Sequence, residues 1–180
     1  GLGDVYKRQP VKSIGNSTTT PRDLENDLDV WIIQIALAES VAARLRKHGF
    51  KCKTVEITVR DNGLYSFSRQ IHLRQPTNIT NEIVTAAFQL FKDNYKWEHP
   101  IRSLGIRAAD LVLDDIPVQL DLFGNQEKKE KLEKLDRTVD EIRRRFGYFS
   151  IQRAAMYQDK VLSHLDAGTH TIHPHSYFHG

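Results

Sequence analysis

Residues 53–74, KTVEITVRDNGLYSFSRQIHLR, leave the chain few choices of fold. Val55, Ile57 and Val59 alternate with Thr54, Glu56, Thr58 and Arg60, the period-two pattern of a strand buried on one face. Asp61-Asn62-Gly63 follows, and residues that tolerate positive φ permit a tight reversal there. On the return, Phe67, Arg69, Ile71 and Leu73 alternate with Ser68, Gln70 and His72, so Arg69 interrupts the apolar side. This is a hairpin with one apolar face, and that face has to be covered.

The flanking segments supply the cover. Asp23 or Asn26 can cap a helix running to about His48, with Leu28, Trp31, Ile32, Ile35, Val41, Ala42 and Leu45 as its apolar face. Gly49 ends it, and Arg44, Arg46 and Lys47 suit the negative end of its dipole. A second helix is predicted from about Thr80 to Tyr95, carrying Ile83, Val84, Ala87, Phe88 and Phe91. Upstream, VKSIGNSTTT reads as a first strand; downstream, IRSLGIRAADLVL reads as a last one, with a bulge expected at Gly105. The order strand-helix-strand-strand-helix-strand predicts an α+β fold, a four-stranded antiparallel-type sheet with two helices on one face. The other face is left open and polar, carrying Thr54, Thr58, Arg60, Ser68, Gln70 and His72.

At 180 residues the chain can hold one ordinary domain and an appendage, placed at 11–113 and beyond. Residues 114–126 lack periodicity and contain Pro117 and Gly124, so they read as a linker. A helical tail is expected over 127–165: one helix with Leu132, Leu135, Val139, Ile142 and Phe146 at heptad-like spacing, ended by Gly147, and a shorter helix capped by Ser150. Residues 166–180 are expected to be a flexible tail, and residues 1–10 a foreign or disordered leader. The only methionine is Met156, so the chain is expected to be a fragment of a longer product.

Charge is uneven, with sixteen Lys/Arg against twelve Asp/Glu through Leu113 and ten against eleven beyond it. A mildly basic front half permits a polyanionic partner without requiring one. No apolar run is long enough to cross a bilayer, no secretory leader is visible, and the single Cys52 fits a reducing cytosol. The histidines at 170, 173, 175 and 179 come without cysteines or a helix to space them, and Asp114-Asp115 sits in a linker, so no metal site is expected.

VKSIGNSTTTPRDL, LAESVAARLRKHGFKCKTVEITVR, FSRQIHLRQPTNIT, IRSLGIRAADL and QLDLF occur in that order. Together they resemble the C-terminal part of bacterial Y-family translesion DNA polymerases, of the DNA polymerase IV and UmuC type, over roughly residues 11–165. The resemblance implies a little finger domain that lays its open sheet along primer-template DNA, in the cytoplasm, for translesion synthesis in DNA repair and the SOS response. It also implies that the catalytic carboxylates and their magnesium ions belong to a palm outside this chain, so the fragment itself is expected to hold no cofactor and to polymerise nothing.

Two sets of binding residues follow. Phosphate contacts call for Lys or Arg charge and short donors, and Lys12, Ser13, Asn16, Thr18, Thr19, Arg60, Ser68, Arg69, Arg102 and Arg107 lie on or beside predicted strands. Arg143 to Arg145 offer a possible extra phosphate contact. QLDLF resembles the sliding-clamp-binding peptide of bacterial polymerases, which implies that Leu122 and Phe123 fill an apolar cleft, with Leu120 beside them and Gln119 bonded at its polar rim. Pro117 limits the entropy lost on binding. Two other readings stand beside this one, a non-catalytic clamp adaptor and a ferredoxin-like RNA-binding module. Few aromatics are expected on the open face, which weighs against base stacking by the latter.

Overall fold

The computed structural model describes residues 11–116 and 125–165. Strands β1 (Ser13–Leu24), β2 (Phe50–Asp61), β3 (Ser66–Thr77) and β4 (Ile101–Leu113) form one antiparallel sheet in the order β1-β4-β2-β3. Helices α1 (Asp27–His48) and α2 (Thr80–Asn94) pack on the same face, α1 against β1 and β4 and α2 against β2 and β3. The α+β class and the element order are those expected. The last strand lies inside the sheet, between the first and the second, so the two strands at the centre are not neighbours in sequence.

The hairpin alternation carries directly into the core. Val59, Ile57 and Val55 of β2 pair with Leu104, Ile106 and Ala108 of β4, and all six are buried under the helices. Burial of a Val, Leu or Ile side chain contributes roughly 1.5–3 kcal/mol. The reversal works differently from the expectation. The left-handed residue is Leu64, at φ 71°, not Gly63. Gly63 answers a close approach instead, since a Cβ there would lie 3.1 Å from the His99 ring. The Asp61 carboxylate closes the turn by accepting from Tyr65 N–H at 3.0 Å.

Helix α1 begins at Asn26, whose side chain accepts from Asp29 N–H, and ends at Gly49, left-handed at φ 71°. It is buried on more sides than one apolar stripe would require: Ile33, Ala36, Leu37 and Ala38 join Ile32, Ile35 and Val41 inside, whereas Leu28 is exposed. The cause is its central position. It has the sheet beneath it, α2 on one flank and the C-terminal segment on the other.

That C-terminal segment docks by charge. Helix α3 (Gln126–Phe146) turns Asp136 inward. The Asp136 carboxylate accepts from Thr80 N–H at 2.7 Å and from the guanidinium groups of Arg46 and Arg153 at 3.2 and 3.0 Å. The first of these bonds caps α2, whose own N-cap residue, Ile79, has no side-chain acceptor. Asp140 holds the other edge of Arg46, and Glu39 of α1 takes Arg143 and Arg153. The predicted apolar seam is only partly covered: Leu132, Val139 and Ile142 are half-buried, while Leu135 and Phe146 stay 53% and 74% exposed. The expected second tail helix is broken into 3-10 turns at Tyr148–Ser150 and Ala154–Gln158 and a short α4 (Lys160–Ser163). Arg143 takes the Ile151 carbonyl in that stretch, and Asp159 rather than Ser150 supplies the new cap. Arg22 of β1 clamps the Asp159 and Asp29 carboxylates together. Burial pushes the Asp29 carboxyl up, but Arg22 and the Glu25 N–H outweigh it and leave Asp29 below the usual carboxylate range.

Cys52 is fully buried, and burial pushes its thiol up to about 12. Thiolate is the reactive form, so we expect alkylation of Cys52 to be negligible in the folded chain. It should become rapid on unfolding in urea, a difference readable by mass spectrometry.

Candidate nucleic-acid interface

The face of the sheet away from the helices is a four-by-four grid fixed by the strand register. Across β1, β4, β2 and β3 its rows are Thr19-Ser103-Arg60-Ser66, Ser17-Gly105-Thr58-Ser68, Gly15-Arg107-Glu56-Gln70 and Ser13-Ala109-Thr54-His72. No grid position holds Phe, Tyr, Trp or an aliphatic larger than alanine, and His72 is its one aromatic ring. Hydroxyls and glycines dominate, so the surface is shallow and a backbone as wide as a nucleic-acid strand can approach it closely.

Gly105 illustrates how shallow. It sits in regular pairing with Ser17 and Thr58, so the expected bulge is absent there. The irregularities in the pairing of β4 fall near Ile101, between Arg60 and Asp61 and between Thr19 and Leu24. A Cβ on Gly105 would collide with Thr58 Oγ1 and lie 3.1 Å from Ser17 Cβ. Any side chain there would have to push apart the hydroxyl row that crosses the face.

The structure gathers only part of the sequence-predicted set on this face. Ser13, Thr19, Arg60, Ser68 and Arg107 are on the grid, and Lys12 is exposed just before β1. Asn16 and Thr18 are not: they pair with Ile106 and Leu104 and are buried toward the helices, Asn16 donating to Ser40 of α1. Arg69 pairs with Ile57, whose side chain is core, so it also lies on the helix side. There it donates to Asn94 of α2, with its guanidinium 5.5 Å from the Phe67 ring centroid. Arg102 stands beyond the grid, donating to the Thr20 carbonyl and reaching Asp23. Arg143 faces Glu39 and Tyr148, and Arg144 and Arg145 are engaged by Glu141, whose carboxyl they pull down to about 2.

Four polar grid residues escaped the sequence reading of the face: Ser17, Ser66, Ser103 and Glu56. Ser17 was hidden because β1 has one aliphatic residue, Ile14, between Ser13 and Pro21, too few to show which side of the alternation is inward. Glu56 alters the electrostatics most. It accepts from Arg107 at 2.6 Å in the middle of the face, leaving Arg107 half exposed and partly neutralised. Arg60 forms no ion pair with another described residue and stands as the grid's clearest positive point.

Gln119, Leu120, Leu122 and Phe123 lie outside the described residues, as do the four C-terminal histidines. Among the described residues no group of three or more His, Cys, Asp or Glu side chains is placed to hold a metal ion, and no helix is long and apolar enough to cross a membrane.

Residues 11–122 match the family model of the impB/mucB/samB family C-terminal domain. Relatives include a DNA polymerase IV of Acetivibrio thermocellus, 45% identical over 156 residues that make up 87% of this chain and 39% of that protein. A DNA polymerase IV of Pelotomaculum thermopropionicum is 34% identical over 84% of this chain and 37% of its own length. DNA polymerase IV 2 of Bacillus subtilis is 36% identical over 80% and 35%. The chain thus spans between a third and two fifths of the length of these relatives. With its sheet, its two covering helices and this match in hand, the chain belongs to the impB/mucB/samB family and carries the C-terminal domain of a DNA polymerase IV homologue.

Proposed function

We propose that this chain is the DNA-binding little finger of a Y-family translesion polymerase, with a clamp-binding peptide following β4. The open face binds primer-template DNA through its phosphates, and Gln119, Leu120, Leu122 and Phe123 tether the polymerase to the bacterial sliding clamp. Polymerisation and its magnesium ions belong to the palm of the longer protein, which works in DNA repair and the SOS response in the cytoplasm. The observation that carries the reading is the grid itself. Short hydroxyl donors surround Arg60 and Arg107 on a face without Phe, Tyr or Trp, which suits backbone contact without sequence readout. With His72 its one aromatic ring, the face offers few platforms for bases, which weighs against single-stranded RNA recognition.

Fluorescence anisotropy against labelled primer-template DNA tests the face. Binding should be weak, indifferent to sequence and steeply salt-dependent. Arg60→Ala and Arg107→Ala should each weaken it and flatten the log-log salt slope by about 0.9 for every phosphate no longer neutralised. Arg69→Ala should change neither, and Glu56→Gln should strengthen binding by freeing Arg107. A double Arg60/Arg107 variant that binds as the parent chain does removes this face from the DNA interface. Tighter binding to RNA than to DNA replaces the polymerase reading with the RNA module. Primer extension by the clean chain would relocate catalysis into it.

A further inference from the structure

At one corner of the open face, Thr54 Oγ1 lies 2.5 Å from Asp110 Oδ2 and 2.7 Å from His72 Nδ1. Thr54 is buried, while His72 and Asp110 side chains are 71% and 58% exposed. Asp110 adopts a left-handed backbone, φ 51°, where the register of β2 and β4 skips the Lys53-Asp110 pair. Left-handed geometry is uncommon away from glycine, and it persists where the surroundings impose it. Here it lets the Asp110 carboxylate reach the Thr54 hydroxyl.

The three groups fix the proton arrangement. A carboxylate only accepts, so the single Thr54 hydrogen goes to Asp110. The Thr54 oxygen then presents a lone pair to His72 Nδ1, which must carry a hydrogen. Neutral His72 is thereby held as the Nδ1–H tautomer, and its outward Nε2 is a bare acceptor. Only the imidazolium form has a hydrogen on Nε2. The charged residues near this site are Asp110 of β4, Lys53 and Glu56 of β2, and Arg74 of β3 itself.

We propose that His72 is a proton-linked phosphate contact of the open face, able to grip a DNA phosphate oxygen through Nε2 only as imidazolium, with Thr54 and Asp110 as its positioning residues. The proposal rests on the reading of the face as a DNA surface. Phosphate accepts and repels a bare nitrogen, so binding takes up a proton at His72. Neutral Nε2 offers the same phosphate nothing.

The test is primer-template affinity of the whole chain between about pH 8 and about pH 6, the range in which histidine changes charge. Binding should tighten about tenfold toward the lower pH, the size of one charge-assisted hydrogen bond, and His72→Gln should flatten that dependence. Thr54→Val frees the ring to hold its hydrogen on Nε2, so affinity should rise at the alkaline end and the pH dependence should shrink. Should Thr54→Val fail to fold, Asp110→Ala serves the same purpose by releasing the Thr54 hydrogen toward Nδ1, and the same shrinkage is expected. A His72→Gln variant that keeps the parent pH dependence, or a positioning variant that leaves it intact, overturns the assignment while DNA binding by the face stands. Absence of DNA binding at both pH extremes overturns the DNA reading of the face instead.

Discussion

Asp136→Ala should lower the unfolding free energy of the chain by about 3–5 kcal/mol, the range for breaking a buried ion pair from one side. The size follows from what the alanine strands. Arg46 is buried at 4% side-chain exposure, and its guanidinium is shared between Asp136, Asp140 and the Asn78 carbonyl. Without Asp136 one edge of that charge faces protein with no anion. Thr80 N–H, at the start of α2, loses its cap in the same step, which alone costs about 1 kcal/mol. Arg153 keeps Glu39 and suffers least. Asp136→Asn should cost less than alanine, because an amide oxygen can still accept from Thr80, and the gap between the two variants measures the charge. Urea unfolding followed by far-ultraviolet circular dichroism reads both. A loss below about 1 kcal/mol for Asp136→Ala, the scale of an exposed pair, would show that Arg46 finds water or Asp140 suffices, and that the tail is dispensable to the fold.

The same network marks where the sequence stops being readable. Alternation through Val55, Ile57 and Val59 and the helix boundaries at Asn26 and Gly49 are local signals, and each appears in the structure where the residues place it. Asp136 is different in kind. A carboxylate among Lys, Glu and Arg on a polar helix reads as solvated unless its partners are known, and they lie ninety residues away at Arg46 and fifty-six away at Thr80. Heptad spacing of Leu132, Leu135, Val139 and Ile142 therefore gives no hint of the docked carboxylate, and the seam it marks is only half covered, with Leu135 exposed. The open sheet face was half legible for a related reason. In β2 three branched aliphatics declare which side is inward, so Arg60 could be placed. In β1 the pattern is thin, so Asn16 and Thr18 stand among the candidate phosphate contacts although pairing with Ile106 and Leu104 turns them in. Arg69 stands there too, although the alternation of β3 already sets it on the apolar side, where its pairing with Ile57 keeps it. Register decides the matter, and register is set by strand partners, not by strand composition.

Leu122→Ala and Phe123→Ala in the whole chain should each cost about 2 kcal/mol of affinity for a bacterial sliding clamp, roughly thirtyfold, because each removes an apolar side chain that the proposed contact buries. The parent chain is expected to bind in the micromolar range, about −8 kcal/mol, since a short extended peptide loses ordering entropy as it docks. Gln119→Ala should cost less, the worth of a hydrogen bond at a polar rim, about 1 kcal/mol. Asp121→Ala should matter least, as a carboxylate gains nothing from an apolar cleft and is better left in water. None of these changes should move the urea midpoint, whereas Asp136→Ala should move it without touching clamp affinity. That crossed pattern separates a ligand from a core segment: two residues that matter only to the partner, and one that matters only to the fold. If Phe123→Ala instead unfolds the chain while clamp affinity stays at the parent value, the leucine and phenylalanine of QLDLF are core, and the clamp reading falls with them.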